Sequence, residues 1–196
     1  MAAKRGPWDI RAQKTVYEND WMQVVDHAVI RPGGDPGVYG VVSYKNLALA
    51  ILPVDAQGHV TLVGQHRFPL DVYSWEIPEG GGRKDGAPLD CARRELKEET
   101  GLSAAHWQEI LRMDLSNSIS DEQAVGFLAT GLTPGEPDPE GTEVLSIRAI
   151  HFRDALDEAM SGRITDALTV AMLLRAYYMA REGMLDESLA TAMLTR

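Results

Sequence analysis

With 196 residues, 44% of them hydrophobic, the chain can bury a sizeable core in one globular domain with a small appended element; two full domains would be cramped. A formal charge of −10 works against attraction to nucleic acid or an anionic lipid surface, both of which select clustered Lys and Arg, so a protein this acidic needs a cation if it is to handle phosphates. No apolar run approaches the roughly 20 residues that cross a bilayer. The single cysteine, Cys91, has no internal disulfide partner and the opening MAAKRGPWDI lacks the apolar stretch of a secretory signal, which together set the expectation of a soluble protein in a reducing cytoplasm.

The first half of the chain reads as strands. Trp21 to Ile30, Gly40 to Ser43, Ala48 to Val54 and Val60 to Gln65 are short segments rich in valine and other apolar residues, separated by turn-like stretches from Arg31 to Gly37 and from Asp55 to Gly58. A helical pattern then runs from Pro88 to Thr100. Proline suits its first turn, Ala87 is a poor N-cap, and Gly101 stands where a C-terminal stop belongs. Strand-like segments return at Ala124 to Ala129 and Val144 to Phe152, on either side of a loop rich in Pro, Gly and acid from Leu132 to Glu143. Helical patterns follow at Arg153 to Ser161 and Thr165 to Arg181. Strands before and after a central helix, with helices at the end, predict an α+β or α/β sandwich with a mixed sheet.

The central helix carries the chemistry. Glu95, Glu98 and Glu99 are spaced by three and four residues, which at 3.6 residues per turn puts their carboxylates on one narrow stripe. Leu89, Ala92 and Leu96 form the adjacent stripe and face the core, so the acids sit at its edge. Like charges this close repel, and a Mg²⁺ or Mn²⁺ ion, which prefers carboxylate, carbonyl and water oxygens, resolves that repulsion. Taken alone, the same stripe also suits a solvated acidic helix face.

The residues around it favour the metal. Gly80 to Leu102 reads GGGRKDGAPLDCARRELKEETGL and closely resembles the box of the Nudix hydrolases: Gly, five residues, Glu, seven residues, Arg-Glu-aliphatic, one residue, Glu-Glu, one residue, Gly-aliphatic. Gly80, Arg94, Glu95, Leu96, Glu98, Glu99, Gly101 and Leu102 match in register, and the first Glu of the pattern is here Gly86. The resemblance implies Glu95 and Glu99 as inner ligands of Mg²⁺ or Mn²⁺, Glu98 as a ligand to a second metal or a water-held neighbour, the backbone carbonyl of Glu79 as a further ligand, and Arg94 as the residue that orients the carboxylates. Gly86 leaves the number of metals open.

Further matches lie outside the box and extend the resemblance over roughly residues 16 to 180. Gln65 to Phe68, the entry Trp75-Glu-Ile-Pro-Glu-Gly80, Ser120-Asp-Glu122 and Ser161 to Ala167 are similar to the ADP-ribose and nucleoside diphosphate sugar pyrophosphatase branch. That branch implies a Nudix α/β/α sandwich with a mixed sheet over residues 46–196 and an N-terminal antiparallel β-element over residues 1–45 that builds a homodimer. It implies a small nucleoside diphosphate sugar as substrate, with Arg67, Glu76 and Gly80 contacting it, and a general base in the acidic loop that falls on Glu143, with Glu140 as the alternative. Trp21 and Tyr39 are candidates for stacking on the nucleobase. ADP-ribose, cleaved to AMP and ribose 5-phosphate, is the leading substrate. GDP-mannose stays open, because the Ser-Pro-Gly context common in ADP-ribose hydrolases is here Ser116-Asn117-Ser118. A diadenosine polyphosphate hydrolase and an inactive Nudix-fold binding module are the remaining alternatives.

Overall fold

The computed structural model describes residues 3–137 and 144–196. Its elements are β1 (Ala3–Arg5), β2 (Trp8–Glu18), β3 (Met22–Ile30), β4 (Pro36–Tyr44), β5 (Asn46–Pro53), β6 (His59–Arg67), β7 (Val72–Glu76), β8 (Glu79–Arg83), α1 (Pro88–Thr100), β9 (Ser103–Asp114), β10 (Gln123–Thr133), β11 (Ser146–His151), α2 (Phe152–Met160), α3 (Ala167–Arg181) and α4 (Glu187–Leu194). They divide between two compact units, one of residues 1–47 and 113–123, the other of residues 48–112 and 124–196.

The first unit is an antiparallel sheet in the order β1-β2-β3-β4. In β3 the side chains of Val25, His27 and Val29 are buried while their neighbours are not, the two-residue period of a strand with one covered face. The segment 113–123 joins this sheet at Val42, whose N–H donates to the carbonyl of Ile119 at 2.9 Å and whose carbonyl accepts from Asp121 N–H at 3.1 Å.

The second unit holds a four-stranded sheet, β8-β5-β10-β9, and a three-stranded sheet, β11-β6-β7. β5 and β10 run parallel, from Ala124 opposite Ala48 to Ala129 opposite Pro53. Leu49 to Leu52 and Ala124 to Ala129 are buried without alternation, as befits strands covered on both faces. The core continues into Ala92 and Leu96 of α1, Phe152 of α2 and Met172, Leu173 and Ala176 of α3. This mixed α/β architecture, with its N-terminal antiparallel sheet, is the one the sequence predicts.

Several elements differ from the expectation. β1, β2, β7, β9 and α4 fall where no strand or helix is predicted, and so does β8, which holds the glycine triplet after Glu79. Glycine disfavours strands, but here β8 pairs alongside β5 and packs against α1, and those neighbours fix its backbone. β4 begins at Pro36, inside the predicted turn. α3 begins at Ala167, not Thr165, because the carboxylate of Asp166 caps it, accepting Thr169 N–H at 2.7 Å. α1 keeps its predicted bounds. Ala87 supplies no capping hydrogen bond, and Gly101, at φ 73°, closes the helix by donating its N–H to Lys97 O at 2.8 Å. Among the described residues no helix is long and apolar enough to cross a membrane.

Candidate metal centre

α1 presents its acids as the spacing predicts: Glu99 is buried, and Glu95 and Glu98 lie half-buried beside it. Arg94 sits between the two half-buried carboxylates, its guanidinium 2.5 Å from Glu95 Oε1 and 2.5 Å from Glu98 Oε2. It is thus placed to hold both against their mutual repulsion. Burial raises the affinity of Glu95 for a proton, Arg94 lowers it, and Glu98 raises it again; the net shift is upward. The strand before the helix closes the other side. Glu79 N–H donates to Glu99 Oε2 at 3.2 Å, and a Cβ at position 80 would lie 2.1 Å from Glu95 Cδ. Glycine at 80 is therefore what makes room for the Glu95 carboxyl.

A second group of acids lies on the strand side of the same unit. Carboxylate oxygens of Glu76 at the end of β7, Glu79 at the start of β8 and Asp166 at the N-cap of α3 all lie within 4.8 Å of one another. Glu76 and Arg67 share a sheet face, since Glu76 is opposite Val63 and Arg67 follows Val63 by four residues. Across that face the Arg67 guanidinium forks onto the Glu76 carboxylate, with Nε 3.0 and 2.9 Å from the two oxygens and Nη2 also bonded to Oε2. It comes within 3.8 Å of Glu79 as well. Burial, and then the nearby Asp166, push the Glu79 carboxyl well above its ordinary range, with Arg67 pulling the other way. The first turn of α3 anchors this segment: Ile77 N–H donates to the buried Thr169 hydroxyl at 3.0 Å.

The predicted site residues other than Glu143 and Glu140 thus have a place. Glu95, Glu98, Glu99, Arg94, Gly80 and Glu79 come together around α1 and β8, but the closest three-carboxylate group among the described residues is Glu76, Glu79 and Asp166, not the helix trio. Arg67 and Glu76, predicted to meet substrate, bond to each other. Glu143 and Glu140 lie outside the described residues. In the first unit Tyr39 lines a cavity of about 270 Å³ with Trp8, His27 and Ser118, its hydroxyl donating to Ser118 O at 2.7 Å and its ring 5.3 Å edge-on from Trp8. Trp21 is exposed and is not among the residues lining that cavity. Sequence reasoning missed Asp166 and Trp8. Asp166 had a signal, an acid three residues before Thr169 at the head of a helix; Trp8 had one too, opening the apolar and polar alternation that runs to Gln13.

The helix trio, the oxygen-only donor set and the space left by Gly80 fit a hard divalent cation. Residues 45–168 match the family model of the NUDIX domain. The chain belongs to that family. Residues 8–42 match a second model, the nucleoside diphosphate sugar hydrolase N-terminal domain. Among relatives of the Nudix chain, an ADP-ribose pyrophosphatase of Mycobacterium tuberculosis is 32% identical over 149 residues, 74% of this chain and 72% of that protein. An ADP-ribose pyrophosphatase of Bacillus subtilis is 30% identical over 160 residues, 81% of this chain and 86% of that one. A solved structure of an ADP compounds hydrolase superposes with a TM-score of 0.79 at 19% identity, covering 90% of this chain and 96% of that one, a likeness of fold.

Proposed function

We propose that this Nudix protein hydrolyses the pyrophosphate bond of a nucleoside diphosphate sugar, and that ADP-ribose, cleaved to AMP and ribose 5-phosphate, is its substrate. The observation that carries the reading is the acid stripe of α1 in register with Gly80, in a chain that also matches the nucleoside diphosphate sugar hydrolase N-terminal domain. The two ADP-ribose pyrophosphatases at 32% and 30% identity support ADP-ribose over other sugars.

Glu95 and Glu99 are the inner ligands, Glu98 and the backbone carbonyl of Glu79 complete the set, and Mg²⁺ or Mn²⁺ is the ion. When bound it neutralises pyrophosphate oxygens and acidifies a water. The chain's own residues do the rest. Arg94 holds Glu95 and Glu98 in position, Gly80 keeps the Glu95 carboxyl in place, and Glu99 is fixed by Glu79 N–H. Glu143 is the general base that takes the proton of the attacking water, a role worth about 10²–10⁴-fold in rate. Arg67, oriented by Glu76, offers its remaining donors to a phosphate or ribose oxygen. Tyr39, or Trp21, stacks on the base, and the N-terminal sheet, with Val16, Tyr17 and Val38 exposed, pairs two copies into a homodimer. The cytoplasm is the proposed location, in keeping with the free Cys91.

Substitution of the inner ligands tests the assignment. Glu95→Gln and Glu99→Gln should each lower kcat on ADP-ribose by at least about 10²-fold with the far-ultraviolet circular dichroism unchanged. Near-normal turnover in both would show that the ion is held elsewhere.

A further inference from the structure

β3 buries a histidine. His27 stands on the covered face of the N-terminal sheet, between Val25 and Val29, and is 5% exposed. Opposite it in β4 is Tyr39, whose backbone carbonyl lies 3.3 Å from His27 Nδ1. A carbonyl only accepts, so Nδ1 carries the proton there and, in the neutral ring, Nε2 is a bare acceptor. No donor among the described residues bonds to that Nε2. A buried polar atom without a partner is a costly arrangement unless something binds it. The cavity that His27 lines lies wholly within the first unit, and at about 270 Å³ it falls just under the usual range for whole small ligands, so it suits one flat ring system. Other polar groups on its wall are committed or open to water. The Tyr39 hydroxyl donates to Ser118 O, Asp121 accepts from Tyr44 N–H at 2.9 Å, and Arg5 and Asn117 are exposed. Trp8 and Tyr39 offer aromatic surface, and His27 Nε2 offers a buried, uncommitted acceptor.

We propose that His27 decides which nucleobase the protein takes: its Nε2 accepts a hydrogen bond from the 6-amino group of adenine while the base lies against Trp8 and Tyr39. The inference rests on the proposed function and supplies what that reading leaves open, the choice between adenine and guanine. Along the edge that holds position 6, adenine presents an N–H donor and guanine presents only acceptors. An acceptor that faces the amino group is satisfied, and one that faces the guanine oxygen stays unpaired. Sites that bury such a group reject ligands lacking its partner, because no water is there to replace it. The bond from Nδ1 to Tyr39 O prepares the histidine for this task, since it sets both the tautomer and the direction of the ring.

Isothermal titration calorimetry on the full chain, at a pH of about 8 where a free imidazole is neutral, tests it. The probes are AMP, GMP and purine riboside 5′-monophosphate, which differs from AMP only in lacking the 6-amino group. AMP should bind at least about tenfold more tightly than either of the others. His27→Asn keeps an amide N–H for Tyr39 O and removes the acceptor at Nε2. It should weaken AMP by about the same factor and leave the deamino nucleotide unchanged within about twofold. Circular dichroism confirms the fold of the variant. The comparison among the three nucleotides uses the wild-type chain alone, so it decides the matter even if the variant does not fold. Equal affinities for AMP and the deamino nucleotide, no binding of either, GMP binding as tightly as AMP, or a folded His27→Asn that keeps the preference would each overturn the proposal. Failure of the hydrolase reading looks different: ADP-ribose would stay intact while AMP keeps its advantage through His27.

Discussion

At position 80 a single missing carbon decides where a carboxylate can stand. A Cβ there would overlap Glu95 Cδ, so the glycine that opens the box acts by leaving space for the acid fifteen residues later. Such a requirement is legible in the sequence as register, and the register was read: the spacing of Glu95, Glu98 and Glu99 is local and helical, and local spacing survives folding. Asp166 was not read as a site residue because its nearness to Glu76 and Glu79 comes from long-range packing, which no spacing in one chain encodes. The fork of Arg67 on Glu76 was hidden for a similar reason, since it depends on the pairing of β6 with β7, and β7 was not predicted. The base in the acidic loop is tested residue by residue. Glu143→Gln should lower kcat by about 10²–10⁴-fold with little change in metal or substrate affinity, and higher pH should partly restore it as hydroxide replaces the lost base. Glu140→Gln should be mild; if it is the severe variant instead, the base is Glu140.

Among the elements, α1 was placed to the residue and β8 was missed, and the contrast is physical. α1 announces itself through a proline at its start, an apolar stripe and a glycine stop, all properties of its own residues. β8 is a strand because β5 and α1 flank it, while its own glycines argue for a loop. β2 alternates apolar and polar from Trp8 to Gln13 and then loses the pattern at Lys14-Thr15, and Arg11 to Glu18 are exposed, so no buried face runs its full length. α3 has a further task, clamping the segment before the box through Thr169, whose buried hydroxyl accepts Ile77 N–H. Thr169→Val keeps the shape and leaves that N–H without an acceptor, which should cost about 1–3 kcal/mol in a denaturant melt. Thr169→Ser should lose much less. Equal losses for Val and Ser would show that the methyl group, not the hydrogen bond, is what matters there.

On the scale of the whole molecule the fold class was legible, since strands before and after one central helix predict the mixed α/β architecture that is found. The use of the N-terminal sheet is a proposal about assembly: light scattering at micromolar concentration should give twice the 21.5 kDa of the chain, and a monomer would remove the homodimer. Net charge and chemistry meet in the cation, because a protein with a formal charge of −10 needs one to approach a pyrophosphate. The central claim is therefore examined most directly by incubating the protein with ADP-ribose and separating the products by chromatography, with Mg²⁺, with EDTA, and with EDTA followed by excess Mg²⁺. The account predicts AMP and ribose 5-phosphate in the first and third reactions and intact ADP-ribose in the second. Full turnover in EDTA, or release of free ADP in place of AMP, would contradict it.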